Sequence, residues 1–265
     1  MKEKEQVTPA QQRMRRRNIQ NGIRRIIQIL FFIFLPSLFN EAFSGLKGMF
    51  RQVGEGDVIT WNAFLQTFVI LCVITILCGR FFCGFACAFG SLGDAVYGIR
   101  MWLQKKTKKK FPRIPQKAVC VLQNIKYLIL VFILASCIFG VSGVIEKSSP
   151  WAAFSRMRML DFHIQGYVAG FILMVLILIG MFFEERFFCQ FLCPLGALFS
   201  LLPIMPWAVL KRKKDQCISG CNACKNQCPV HRKVDGVTLH SNECIQCRRC
   251  VTVCPKGNIR QINVK

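Results

Sequence analysis

Histidine is nearly absent from this chain: His163, His231 and His240 are the only three, and none lies in an apolar run. A haem held inside a helix bundle takes histidine ligands, so no intramembrane haem is expected. Acid is scarce as well, with 13 Asp and Glu against 36 Lys and Arg. The apolar runs carry almost no charge, which argues against a transporter with a polar path through its spans. They also lack the strict alternation of barrel strands, which leaves helices as the spanning element. Residues 1–20 are hydrophilic and no small-residue cleavage site follows the first apolar run. That run is therefore expected to stay in place as an anchor.

What the chain does have is apolar length: 53% of its 265 residues are hydrophobic. About 20 such residues in a helix cross a bilayer. Four runs come close, Ile26–Phe43, Val58–Leu77, Tyr127–Ile145 and Tyr167–Phe183. Folded as buried helices of a soluble protein, they would find too little amphipathic chain to cover them. The net charge of +23 is concentrated beside these runs. Arg13, Arg15, Arg16, Arg17, Arg24 and Arg25 precede the first run. Lys105, Lys106, Lys108, Lys109, Lys110, Arg113 and Lys117 separate the second from the third, and Lys211–Lys214 follow the last apolar stretch. The loops at 44–57 and 146–166 carry a weak mixture of both signs. The positive-inside rule then predicts cytoplasmic N- and C-termini. Flanking clusters of this kind fit anionic lipid better than nucleic acid.

Sixteen cysteines in a cytoplasm-facing protein point to metal ligation rather than a disulfide framework. Cys244, Cys247, Cys250 and Cys254, followed by Pro255, read C-x2-C-x2-C-x3-C-P, the bacterial ferredoxin signature for a [4Fe–4S] cluster. Cys217, Cys221, Cys224 and Cys228, followed by Pro229, form a second run with one extra residue in its first spacing. In two-cluster ferredoxins the fourth cysteine of each run serves the other run's cluster. The expected ligand sets are therefore Cys217, Cys221, Cys224 and Cys254 for one cluster, and Cys244, Cys247, Cys250 and Cys228 for the other. Zinc sites group cysteines in pairs, so two rows of four, each ending in Cys-Pro, point away from zinc. The tail is too short to rest on a large apolar core, and its fold should depend on its clusters.

A repeat lies between the apolar runs. Residues 80–92 read RFFCGFACAFGSL and residues 186–198 read RFFCQFLCPLGAL, sharing R-F-F-C-x-F-x-C-x-x-G-x-L. The membrane domain is thus read as two parallel repeats, each a helix pair and a short border segment. Cys83 and Cys87, with Cys189 and Cys193, are two C-x3-C pairs. On a helix, residues four apart share a face with roots about 5–6 Å apart, too far for easy disulfide closure. Brought together, the pairs would offer four thiolates to a soft metal or an Fe–S cluster; alternatively they are small packing residues. Cys72, Cys78, Cys120 and Cys137 share no spacing and read as packing residues. Arg80 and Arg186 read as headgroup anchors, with Glu184 and Glu185 just before the second copy. On the far side, Glu146, Trp151, Asp161 and His163 read as an interface loop, with a quinol-proton role as the sharper alternative.

With these motifs the chain resembles the membrane-bound polyferredoxins of the NapH and NosR type. The resemblance rests on four spans, paired C-x3-C motifs, the second continuing as Cys193-Pro194-Leu195-Gly196, and the C-terminal ferredoxin runs. Ala88 stands where the family's first copy has proline. No flavin-bearing domain accompanies these features, so the likeness is to the shorter NapH branch. The expected architecture is an α-helical membrane protein of four or more helices with a small C-terminal α+β two-cluster module. Its divisions would be a basic segment at 1–25, a membrane domain at 26–210 and a ferredoxin domain at 211–265, in the bacterial inner membrane. The resemblance implies electron transfer between the quinol pool and a redox partner protein, as the electron-transfer subunit of a quinol dehydrogenase. Two alternatives stand beside it: reduction of copper or another metal during assembly, with Met157 and Met159 near His163, and a non-catalytic wiring subunit.

Overall fold

A computed structural model of the chain describes residues 9–35, 37–109, 114–141, 149–158, 167–231 and 243–261. The long apolar segments are helical, as their hydropathy requires, but their bounds differ from the expected spans. α1 (Pro9–Phe34) and α2 (Leu38–Glu55) replace the single run Ile26–Phe43, and their axes differ by 63°. The sequence carries a proline at 36, which has no amide hydrogen to continue a helical ladder. α2 ends at Gly56, whose left-handed backbone (φ 74°) turns its amide back to the carbonyls of Gln52 and Val53. α3 (Ala63–Cys78) starts later than expected because the Asn62 side chain accepts from the Leu65 amide at 2.9 Å. α2 packs on α3 at Gly45, where any Cβ would overlap the Phe64 carbonyl.

α4 (Phe81–Phe85) and α5 (Ala88–Thr107) follow, then α6 (Gln116–Leu122) and α7 (Ile125–Ile138). α8 (Pro150–Arg158) and α9 (Val168–Phe183) precede a π-helical turn (Phe188–Leu192) and α10 (Pro194–Leu201). Among the described residues two stretches are long and apolar enough to cross a bilayer, Phe81–Thr107 and Ala118–Ile138. The bent α1–α2 pair would make a third. α3 and α9 have 16 residues each, about 24 Å at the helical rise and short of a full hydrocarbon core. The four expected spans are thus one bent pair, one long segment (Ala118–Ile138) and two short apolar helices, and Phe81–Thr107 is a long apolar segment that was not among them.

Each apolar helix nevertheless buries one stripe. α7 turns Lys126, Leu130, Ile133 and Cys137 inward, and α9 turns Gly170, Met174, Ile177 and Met181 inward, with the same four-three-four spacing. The opposite faces stay apolar but exposed, including Leu128, Val131 and Phe132 on α7 and Ile172, Val175 and Leu176 on α9. A helix apolar on both faces suits lipid rather than water. α5 behaves differently. Gly93 lies against Met181, Asp94 pairs with Arg186, and Arg100 donates to the carbonyls of Phe182 and Phe183. One side of α5 therefore crosses the C-terminal end of α9 instead of running beside it.

The tail is the expected small α+β unit. β1 (Leu210–Arg212) pairs antiparallel with β2 (Ile259–Gln261), with Lys211 opposite Arg260. Two short helices, α11 (Ala223–Asn226) and α12 (Arg249–Val253), lie between the strands and carry Cys224 and Cys250. Leu210, Cys224 and Ile259 make its separate apolar cluster, with Cys250, Val251 and Cys254 packed on them.

Candidate metal centres and the paired cysteine motifs

The two copies end in the same turn, although Phe81–Phe85 is α-helical and Phe188–Leu192 is π-helical. The Cys87 amide donates to the Phe82 carbonyl at 3.0 Å, and the Cys193 amide to the Phe188 carbonyl at 2.9 Å, a widened turn in both. The second cysteine of each pair then takes an extended conformation and caps the next helix: Cys87 caps α5 and Cys193 caps α10. Cys193 Sγ accepts the Gly196 amide at 3.1 Å, whereas Cys87 holds the equivalent cap position without a side-chain cap bond. Ala88 in place of proline leaves this turn intact, since the capping conformation is shared.

The two copies meet. Cys83, Cys87, Cys189 and Cys193 line one cavity together with Arg80, Phe39, Phe82, Leu195, Gly196 and Phe199. All four cysteines are buried. The arginines cross between copies. Arg186 donates to the Cys83 carbonyl at 2.6 Å and the Gly84 carbonyl at 3.1 Å, and its guanidinium lies under Gly90. Arg80 lies under Gly196 in return. Arg80 is within electrostatic range of Cys83 and Cys193, and Arg186 of Cys87 and Cys189. Both arginines are 1% exposed, so neither is the headgroup anchor the sequence suggested. A cation buried this deeply has to be paired and hydrogen-bonded. Asp94 takes Arg186 through both oxygens, at 2.8 and 2.6 Å, and also pairs with Arg24 at 2.5 Å.

Trp151 also departs from expectation. It is buried, not interfacial, and stacks on Phe39 at 5.5 Å, with Phe43, Phe89 and Phe188 around it. α8 thus reaches the second layer around the cysteine cavity. No periodicity in the sequence marks that depth. Asp161, His163 and Met159 lie outside the described residues, as do Glu146 and His240. Of the remaining cysteines, Cys78 is exposed, Cys72 and Cys120 are half-buried and Cys137 is buried.

In the tail, Cys217, Cys221, Cys224 and Cys254 line a single cavity walled by Ile218, Ile259 and Pro255. These are the four residues that crossed ligation assigns to one cluster. Cys228 and Cys247 interact electrostatically and both pack against the main core. Cys244 and Cys250 are half-buried in the same run. Along this run Gln246 (φ 51°) and Arg248 (φ 55°) adopt left-handed backbone. Such departures turn successive amides into a concave nest, the usual seat of an anionic Fe–S cluster. Four soft sulfur donors, apolar walls and this nest fit a [4Fe–4S] group. Among the described residues no three Cys, His, Asp or Glu converge closely enough to hold a single metal ion.

The tail presses on the paired motifs. The Ile245 carbonyl sits against Gly84, between Cys83 and Cys87, where a Cβ would overlap it. Gln190 donates to the Pro229 carbonyl at 2.7 Å, and Gln246 to the Ala208 carbonyl at 2.8 Å. Glu184 pairs with His231 and Glu185 with Arg249. Burial pushes the Cys247 thiol up, against Arg24 and Arg249. Burial also opposes the charge on Arg249, but Glu185 and Asp94 outweigh it and raise the guanidinium.

Two 4Fe-4S binding domain families match the chain. One matches twice, over residues 63–110 and 168–213, so that each match contains one copy of the repeated motif. The other matches residues 237–260 in the tail. A protein of Methanocaldococcus jannaschii, MJ0749, is 30% identical over 91% of this chain and 87% of its own length. Ferredoxin-type protein NapH of Haemophilus influenzae is 29% identical over 70% of this chain and 63% of its own. Regulatory protein NosR of Stutzerimonas stutzeri is 29% identical over 72% of this chain and 26% of its own. No solved structure matches the chain.

Proposed function

The chain belongs to the membrane-associated, ferredoxin-type [4Fe–4S] electron-transfer family of NapH and NosR, and from that premise we propose that it links the quinol pool to a redox partner protein through two clusters. Cys217, Cys221, Cys224 and Cys254 would hold the first, and Cys228, Cys244, Cys247 and Cys250 the second. When bound, each cluster supplies one-electron redox chemistry. The protein's own residues decide where that chemistry is available. The second ligand set lies against the Cys83–Cys87 turn, and Cys228 and Cys247 are part of the main core. In the first set Cys217 and Cys221 are exposed, the side from which a partner can approach. The observation that carries the reading is this contiguity: a buried cysteine tetrad, then a half-buried ligand set, then an exposed one.

The tetrad Cys83, Cys87, Cys189 and Cys193 is proposed as an additional redox or metal site of the same membrane domain. Two buried guanidiniums lie beside the four sulfurs, and each second cysteine caps the next helix. The distribution of Lys and Arg supports a cytoplasmic tail; a bacterial inner membrane, crossed by four or more helices in two parallel repeats, completes the proposed reading. Anaerobic purification with iron and sulfide counting, plus low-temperature EPR, tests the assignment. About eight irons are expected from the two tail clusters. A variant with all four tetrad cysteines changed to serine should lose iron or a redox signal beyond those eight. The same eight irons and signals in both proteins would remove the tetrad from the pathway. Oxidation of a quinol analogue by the purified chain alone, with its two electrons passed to an artificial acceptor, would exclude a role limited to wiring.

A further inference from the structure

The two motif copies are not electrostatically equal. In the first, Asp94 stands seven residues after Cys87 and neutralises Arg186 of the second copy. The position seven residues after Cys193 is Ser200, which brings no charge to Arg80. Yet Arg80 is as deeply buried as Arg186, and a buried cation needs a counter-charge. It receives one from outside the membrane domain. Glu243 of the tail pairs with Arg80 at 3.2 Å and with Lys126, itself fully buried at the start of α7. Tyr127 Oη donates to Glu243 at 2.9 Å and lies 2.7 Å from Ser200 Oγ, so the tail carboxylate is tied to the very position it replaces. Burial works to raise the Glu243 carboxyl, but Arg80 and Lys126 outweigh it and hold the group below the ordinary carboxylate range.

We propose that Glu243 is a positioning residue: it supplies in trans the carboxylate missing from the second motif copy, and so locks the cluster-bearing tail onto the paired cysteines. Its sequence position suits the task. It immediately precedes Cys244, so the ion pairs that satisfy Arg80 and Lys126 also fix the ligand run. The tail then docks at one register, because both buried cations lose this shared carboxylate in any other. This inference rests on the tail being the cluster-bearing module. It does not depend on which donor or acceptor the protein uses.

The test uses the full cluster-loaded chain in nanodiscs, read by hydrogen exchange without any electron donor. Glu243→Gln should keep the wild-type iron content while amide exchange in residues 244–253 accelerates about tenfold or more. Adding Ser200→Asp to that variant returns a carboxylate to the second copy. It should restore the thermal stability of the membrane helices but leave the tail exchanging fast. Unchanged exchange in Glu243→Gln would overturn the proposal. So would iron loss in that variant, which would assign Glu243 to cluster assembly. Recovery of tail protection by Ser200→Asp, or its failure to restore the helices, would overturn the equivalence of the two carboxylates. A chain that proves not to oxidise quinol leaves all of these readings untouched.

Discussion

Gly90 occupies a helix position where alanine would ordinarily be favoured by about 1 kcal/mol. Here a Cβ would overlap Arg186 Nη1. That guanidinium has little freedom to move, because Asp94, the Cys83 carbonyl and the Gly84 carbonyl hold it from several sides. Gly90→Ala should therefore destabilise by about 1–3 kcal/mol through overpacking. Gly98→Ala, in the same helix with nothing within 4 Å of the added atom, should be neutral or stabilising. Thermal unfolding of the two variants in one detergent checks the contrast, and a similar melting temperature for both would refute the pinned guanidinium. At this scale the sequence was partly legible. The R-F-F-C-x-F-x-C-x-x-G-x-L repeat picked out each arginine, cysteine and glycine that meets at the cavity. It could not say that the arginines are buried, since their partners Asp94 and Glu243 stand far along the chain and only folding brings them close.

Helices were readable wherever hydropathy was uniform, and misread where it was mixed. α3, α7 and α9 lie within or beside their expected runs because Leu, Ile, Val and Phe dominate them. The bend between α1 and α2 was available in the proline at 36 but was overridden by the apolar composition around it. α5 was missed altogether, since Gly90, Gly93, Asp94, Gly98 and Arg100 dilute its apolar character. Those same residues explain its placement. Gly93 permits close approach to Met181, while Asp94 and Arg100 find partners at the end of α9. From Gly93 to Arg100 the helix rises about 10 Å, yet the partners it finds on α9 and just beyond it lie within residues 181–186. α5 is thus expected to skirt the membrane border, despite a length and composition sufficient to cross. A short epitope inserted after Thr107 should then be reached by antibody in the same vesicle orientation as an epitope at the C-terminus. Detection of the two epitopes in opposite orientations would instead make α5 a crossing helix, and would move the basic loop after it to the other side.

On the scale of the molecule, the membrane domain and the tail hold together by different means. The membrane domain has a continuous apolar core running from Phe39 on α2 to Phe199 on α10, with Cys228 and Cys247 of the tail packed against it. The outer part of the tail has only Leu210, Cys224 and Ile259, joined by Cys250, Val251 and Cys254. Half of that small cluster is cysteine, so its cohesion is inseparable from ligation. An apolar core of this size cannot offset the ordering entropy of the loops around it, and cluster binding must contribute the remainder. Cys224→Ser is the sharpest probe, because Cys224 is the buried member of the exposed ligand set. Iron should fall from about eight to about four per chain, one cluster being lost. Amide protection should be lost across residues 210–224 and 254–261, where both strands depend on that set. Residues 244–250 should stay protected, held by Glu243 and by the contact of Ile245 with Gly84. The far-ultraviolet helical signal should hardly change, since the bundle does not use this cluster. Loss of all eight irons would mean that the two ligand sets fold as one unit, and that the division into an inner and an outer half of the tail is wrong.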